Sequence, residues 1–524
     1  MKTLSYIDYC ALPPFRQFLY KIYETFFKII FGLWGFVKGV GLGIKRIGIK
    51  IGKAFKNMYL SFKYGDIYTK LSFGVVGISH IKRGQRIKGI LMIIVELIFI
   101  TIMVLFGGEA IYKFTYLGKN STGYTCGNGD WYANSPEAQK VCPFPKKVDG
   151  DWSERNLLYG ILALIIVVIF MFFYIKSVNR SYQIQTEEEE GKHIPTFKED
   201  MAEFLNSKFH ITLLALPILG VIVFSILPLI DMILMAFTNY DYQHAYPKYF
   251  NWVGLDNFLE FGNFGNKGFG YTFVEILKWT AVWAVLATFI NFFLGIIVAT
   301  IINRKGIKFK KLWRTCLVLS IAVPQFVSLM ALGQIFQEYG PITQFIKQQT
   351  GMTILFWGHP TQFTIGDYIL TIDFARILIV LINIWIGIPY TVLSTTGILM
   401  NVPEDLYESA RIDGASPITI YFKITLKYIV FVMGPSLITT FIGNFNSFGV
   451  IYLLTGGGPK TNSYYGSAGH TDLLVTWLFT LTMGGQADYK MASVIGILIF
   501  IISATISLIV YRNSSSFKNE EDFA

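Results

Sequence analysis

Pro403-Glu404-Asp405-Leu406-Tyr407-Glu408-Ser409-Ala410-Arg411-Ile412-Asp413-Gly414-Ala415 is a polar, helix-forming stretch lodged between two long apolar runs, 373 to 399 and 426 to 454. Pro403 suits the first position of a helix, Glu404 and Asp405 favour its positive N-terminal end, and Gly414 allows a left-handed exit. Ser416-Pro417 then restarts a second helix. The reading is a helix-turn-helix element projecting from a membrane, with Glu408 and Asp413 as surface acids. An ordinary polar hairpin between spans would use the same residues, so the rest of the chain must decide.

The chain of 524 residues is 53% hydrophobic and only 15% charged, with a mean hydropathy of +0.48. One soluble core cannot hide that much apolar surface. A helix crosses the bilayer with about 20 apolar residues, and eight runs qualify: 90 to 111, 157 to 175, 211 to 235, 273 to 302, 312 to 336, 373 to 399, 426 to 454 and 492 to 512. The expected fold is therefore all-α and polytopic, with about eight transmembrane helices. Pro217, Pro228, Pro324, Pro389 and Pro435 fall inside these runs, which packed membrane helices tolerate because neighbours satisfy the freed backbone groups. Arg304, Lys305, Lys308, Lys310, Lys311 and Arg314 in one connector, and Lys82, Arg83, Arg86 and Lys88 before the first run, are expected on the cytoplasmic side. An even number of spans puts both termini and the 401–424 loop on that side of the plasma membrane.

Around this framework the chain divides into a basic arm (1–89), two spans with an extracellular flap (90–175, flap 113–155), a linker (176–210), a core of six spans (211–512) and a tail (513–524). The arm holds 16 Lys or Arg against Asp8, Glu24 and Asp66. A basic amphipathic helix on the anionic leaflet fits Phe26 to Ile51; a ninth span near Phe26 to Ile44 is the rival, and Lys38 in its middle counts against it. Nucleic-acid binding is not expected. Cys126 and Cys142 share the flap, on the side where oxidation is possible, and a bridge between them is expected. No His lies near enough for a metal site there. Cys10 and Cys316 read as free thiols. Glu187 to Glu190 repel one another and suggest a flexible, solvated linker. No Gly-Lys pair has the spacing or the following Ser or Thr of a phosphate loop, and the six His show no catalytic or metal pattern, so no catalysis is expected of this chain. Thr482-Met483-Gly484-Gly485-Gln486 reads as a turn.

The polar stretch resembles the coupling loop of ABC importer membrane subunits, the "EAA" pattern: Glu408-Ser409-Ala410, then Asp413-Gly414-Ala415, then Phe422, Ile424 and Leu426. From about Asn383 to Phe500 the chain is similar to the larger membrane subunit of maltose and maltodextrin importers, the MalF type. Asn383-Ile384-Trp385-Ile386-Gly387-Ile388-Pro389-Tyr390, Asn444-Phe445-Asn446-Ser447-Phe448, Leu453 to Pro459 (Leu-Leu-Thr-Gly-Gly-Gly-Pro) and Gly469-His470-Thr471-Asp472-Leu473-Leu474-Val475 carry that likeness. Weaker similarity reaches back to about residue 210. The resemblance implies a type I permease core whose residues Glu408, Ser409, Ala410, Asp413, Gly414 and Ala415 dock on a separate ATPase. It implies as partners a second, MalG-type permease subunit, two copies of a cytoplasmic ATPase that bind the ATP and Mg, and an extracellular sugar-binding protein. No cofactor is expected in this chain. Two departures stand out. The loop 236–272 is short where the enteric subunit has a large domain, and Lys427 stands where the family often has Pro.

A sugar site inside the membrane needs amides for hydrogen bonding and aromatic rings for stacking. Asn383, Trp385 and Tyr390 in the sixth run and Thr440, Asn444, Asn446 and Ser447 in the seventh meet that need. The resemblance implies glycan contact at Gly387, Tyr390, Thr440, Asn444 and Ser447. Amides that only bridge helices are the alternative. Other solutes remain open: a different oligosaccharide, or glycerol phosphate, although neither run offers a cation well inside. A secondary transporter would rely on an embedded acid, for which Glu96 and Asp231 are the candidates.

Overall fold

The computed structural model describes residues 13, 39, 41–43, 45–46, 48–126, 131–132, 135–304, 306–351, 353–365 and 368–513. Cys10, most of the Phe26 to Ile44 stretch, residues 127–130 of the flap, Lys305 and residues 514–524 of the tail lie outside the described residues.

Seven described helices are long and apolar enough to cross a membrane: Arg86–Phe114, Ser153–Glu189, Phe209–Met235, Phe269–Asn303, Phe374–Met400, Pro417–Thr455 and Tyr489–Ile509. An eighth span is broken. Lys310–Ala322 and Gln325–Ile335 meet at 84°, where the sequence suggested one continuous run. Pro324 forces the preceding residue out of the helical region, and Val323 is extended at ψ 125°. Pro389, by contrast, stays inside its helix and is buried. We number these spans one to eight in chain order, the broken pair being the fifth.

Packing divides the chain into two compact units, one of Val37–Asn257 and one beginning at Phe258. The third span thus groups with the first two, although the sequence joins it to the core. Its central window has no buried residue, as expected of a helix whose sides meet lipid or another chain.

In the unit Val37–Asn257, residues 48–64 form a helix that exposes Lys53, Lys56 and Lys63 beside Phe55, Tyr59 and Phe62. The linker expected to be a flexible, solvated link is largely helical. The second span runs on as helix to Glu189, and Arg83, its side chain 1% exposed, pairs with Glu188 and Asp66 at 2.8 Å each. Arg180 takes Glu187 at 2.7 Å. The run of acids is held by Arg180 of its own helix and by Arg83 from another segment, and a local charge count misses the second. A capped helix, Phe197–Leu205, follows, and Lys88 pairs with Asp200 at 2.6 Å.

The flap carries a small antiparallel sheet, Trp131–Tyr132, Gly123–Thr125 and Lys146–Val148 in that order, and Cys126 is bonded to Cys142. It packs on the short 236–257 loop: Asn251 Oδ1 accepts from Gly118 N–H (3.2 Å) and Phe114 O accepts from Trp252 Nε1 (2.9 Å). A second hairpin, Thr361–Ile365 with Tyr368–Ile372, precedes the sixth span. The otherwise helical fold therefore includes two small sheets outside the spans.

In the unit beginning at Phe258, the fourth to seventh spans share one apolar cluster, with Trp279, Trp283, Leu329, Ile379, Ile382, Ile451 and Leu473 buried in it. A second cluster joins Phe292 and Ile296 to Ile429 and Met433.

Candidate functional site

The sixth span leads at its C-terminal end into the polar turn. Glu404–Ile412 is a helix with two acids in its first turn and Arg411 in its last, charges that complement the helix dipole. It closes as a Schellman motif. Ala415 N–H donates to Ala410 O (2.9 Å) and Gly414 N–H to Arg411 O (3.0 Å), with Gly414 at φ +76°. Ser416 caps the next helix by accepting from Thr419 N–H. That helix, Pro417–Ile420, passes through a π turn, Tyr421–Thr425, into the seventh span, so the second short helix expected from sequence is continuous with the span. Glu408, Ser409, Asp413 and Gly414 are exposed, while Ala410 and Ala415 are half-buried. Ile412 and Ile418 are 86% and 72% exposed. An apolar pair beside acids, with a Tyr407–Thr425 hydroxyl bond at 3.2 Å bracing the element from behind, is a surface suited to a partner.

The sugar candidates do not converge on one cavity. Trp385 and Tyr390 line a small cavity with Ser320, Gln325 and Ser328 of the broken fifth span; both aromatics are half exposed, at 54% and 50%. Asn383 and Gly387, four residues apart on the helix, meet the fourth span. A Cβ on Gly387 would stand 2.3 Å from Asn291 Nδ2, and that amide donates to Ala287 O (2.8 Å) and reaches Asn383 O at 3.5 Å. Asn291 Oδ1 and Asn383 Nδ2 are buried without partners among the described residues, each costing about 1–3 kcal/mol. On the seventh span, Asn444 Nδ2 donates to Thr288 Oγ1 (2.9 Å) and Asn444 O accepts from Trp283 Nε1 (3.1 Å). Asn446 Nδ2 donates to Ser503 Oγ at 3.3 Å. Thr440 is exposed, its hydroxyl bonded to Ser436 O. Ser447 sits at the break between Leu426–Phe445 and Gly449–Thr455. Gln325, Ser328 and Asn291 were missed from sequence; the Pro324 break was the available signal for the first two. The acids weighed for a secondary transporter differ: Glu96 accepts from Val76 N–H at 2.8 Å, whereas Asp231 Oδ1 has no partner among the described residues.

At the opposite end of the sixth span, the two runs used above as markers of likeness fold together. Gly457 is at φ +81°, and a Cβ there would sit 1.9 Å from Asp472 Oδ1. Asp472, 1% exposed, accepts from Gly469 N–H (2.7 Å), and burial pushes its carboxyl above the ordinary range. Thr471 Oγ1 donates to Gly458 O (2.6 Å). His470 Nε2 meets Asp373 Oδ2 at 2.6 Å, and Arg376 Nη2 donates to His470 O at 2.7 Å. Arg376 also lies over Trp279, 4.4 Å from the ring centroid. Burial would raise the Asp373 carboxyl, but hydrogen bonds from His470 and Arg376 N–H outweigh it and hold it below its ordinary value. The Thr482 to Gln486 stretch is the end of the helix Leu474–Met483, with its turn.

The exposed, capped polar turn and the half-exposed Trp385–Tyr390 pair thus belong to a chain with seven or eight helices long and apolar enough to cross a membrane among its described residues. Residues 291–517 match the family of binding-protein-dependent transport system inner membrane components. The galactooligosaccharide transport permease GanP of Bacillus subtilis is 33% identical over 71% of this chain and 86% of its own length. The maltodextrin transport permease MdxF of the same organism is 34% identical over 71% and 84%. The chain belongs to this family, the membrane permeases of ABC importers. The crystal structure of a bacterial ABC transporter that imports the acidic polysaccharide alginate aligns with 61% of this chain and 97% of its own at 22% identity, with a TM-score of 0.47.

Proposed function

We propose that this permease carries neutral oligosaccharides of the maltodextrin type, delivered by an extracellular binding protein. The observation that carries the reading is the mid-span surface. Trp385 and Tyr390, half exposed beside Gln325, Ser320 and Ser328, present hydrogen-bonding groups and rings at a depth where lipid satisfies no polar atom. Such a surface belongs on a path. No charged residue lines it among the described residues, which favours a neutral glycan over glycerol phosphate. Asn383, Gly387, Thr440, Asn444, Asn446 and Ser447 complete the path when the bundle rearranges.

The chain supplies no ATPase. A MalG-type second permease completes the pore, and two copies of a cytoplasmic ATPase bind ATP and Mg and engage Glu408 to Ala415. Both termini lie on that side. ATP-driven closure of the ATPases acts on the turn and opens the bundle outward, and hydrolysis resets it inward. The relative that carries galactooligosaccharides in its name favours a second reading, a glycan of galactose units. Uptake of labelled maltotriose by cells with and without this gene, with and without ATP depletion, tests the first. Gene- and ATP-dependent uptake is expected. Unchanged uptake in cells that express the chain would reject maltodextrin and turn the same assay to galactooligosaccharides.

A further inference from the structure

Beyond the mid-span surface, a second cleft opens where the fifth span ends. It has a volume of about 440 Å³ and is lined by Gln337, Glu338 and Tyr339, by Phe356 and Trp357, and by the end of the seventh span at Thr455. That size falls within the roughly 300–1,000 Å³ of ordinary small-molecule sites. Thr455 bonds Thr471 at 2.8 Å, beside the His470–Asp373 pair, so the cleft sits at the end of the sixth span opposite the polar turn.

We infer that this cleft is an entrance subsite that holds a distal ring of a neutral oligosaccharide while a leading ring reaches the Trp385–Tyr390 surface. The inference rests on the oligosaccharide reading proposed above. Its rings are held in place from behind: Trp357 Nε1 donates to Gly333 O at 2.9 Å, the indole packs against the main apolar cluster, and Phe356 stands edge-on to Phe336 at 5.2 Å. The rim differs. Gln337 and Glu338 are exposed and Tyr339 is 84% exposed, so amide, carboxylate and phenol are available to sugar hydroxyls. Fixed aromatics below adaptable polar groups form the combination that sugar rings require. Among the described residues no cation lines the cleft and Glu338 does, which selects against uronates and phosphates.

The two surfaces are joined by one element. Gln325 lines the inner cavity, and the helix Gln325–Ile335, 11 residues long, ends just before Gln337. At 1.5 Å per residue it separates them by about 16 Å. A short glycan occupies one surface, and a longer glycan reaches both.

The test compares uptake of labelled maltotriose and maltohexaose by cells carrying the full chain or its Tyr339→Ala and Gln337→Ala variants, with membrane levels checked by immunoblot. Both positions are exposed, so folding is expected to survive. The variants should lose about five- to tenfold in maltohexaose uptake efficiency, the worth of one ring contact, with maltotriose unchanged. Equal uptake of both glycans by wild type and variants would overturn the subsite. An equal fall for both would overturn it too, and would mark the cleft as a docking surface for the binding protein. Import of neither glycan by the wild type would overturn the maltodextrin reading itself, and this inference with it.

Discussion

The two ends of the sixth span are built on opposite plans. At the Asp373 end, His470 is held by Asp373 and Arg376, and Asp472 accepts from Gly469 N–H and packs against Gly457, in buried or half-buried positions. At the Met400 end, the Glu404–Ile412 helix satisfies its backbone internally and leaves Glu408, Ile412 and Asp413 exposed. The second end leaves an acid and apolar surface exposed, the surface proposed above to meet the ATPase. A substitution at the locked end should act on the folded protein, and one at the open end on coupling.

The sharpest break of that contrast is Gly414→Asp. Its Cβ has open space, but φ is +76°, which costs about 1 kcal/mol for a side-chain-bearing residue, and the new side chain enters the docking face. Uptake should fall to the level of cells lacking the gene while the chain stays in the membrane at normal abundance. Gly414→Ala should lose less, which uptake assays of the two side by side would show.

At the locked end, Gly457→Ala should lower abundance. With a Cβ 1.9 Å from Asp472 Oδ1 and φ at +81°, a loss of about 2–4 kcal/mol is expected, read as less protein by immunoblot and a lower thermal midpoint in detergent. Next in size, Tyr390→Ala should cut oligosaccharide uptake efficiency about tenfold without changing either measure of folding.

Asp373→Asn should be milder, about 1–2 kcal/mol for one charge-assisted bond, measured as the thermal midpoint at pH 7. The sign of its pH dependence follows from its direction of shift. A carboxyl held below its ordinary 3.8 contributes fully above that value and loses its contribution as pH falls through the lowered one. The wild-type and Asp373→Asn midpoints should therefore converge in strong acid, as pH falls through the lowered carboxyl value. The smallest effect on uptake is expected from Cys126→Ser, which opens a bridge of sequence separation 16. A bridge of that length is worth about 3 kcal/mol to its own loop, so faster proteolysis of the flap is expected while transport persists.

Much of this was legible in the residues, because hydropathy reports length and the caps report ends. The spans and the Pro403 to Ala415 helix follow from local pattern. What was not legible depends on pairing across distance. Pro324 and Pro389 look alike in sequence, yet only the first breaks its helix, because the packing around each backbone decides whether a lost hydrogen bond is tolerated. Glu188 reads as one of four solvated acids until Arg83, 105 residues away, is placed against it. Asn383 and Gly387, against the fourth span, and Trp385 and Tyr390, in the cavity with the fifth, read as one set in the sequence; only the placement of those neighbouring spans separates their surroundings.

The most direct test is reconstitution. With this chain, its partner permease, the ATPases and a binding protein in liposomes, maltotriose accumulation and ATP hydrolysis are measured for wild type and Gly414→Asp. ATP-driven accumulation by the wild type, and neither accumulation nor stimulated hydrolysis by an intact Gly414→Asp complex, is the predicted result. Full accumulation by the variant would contradict the assignment of the exposed turn as the point where ATP is coupled to transport.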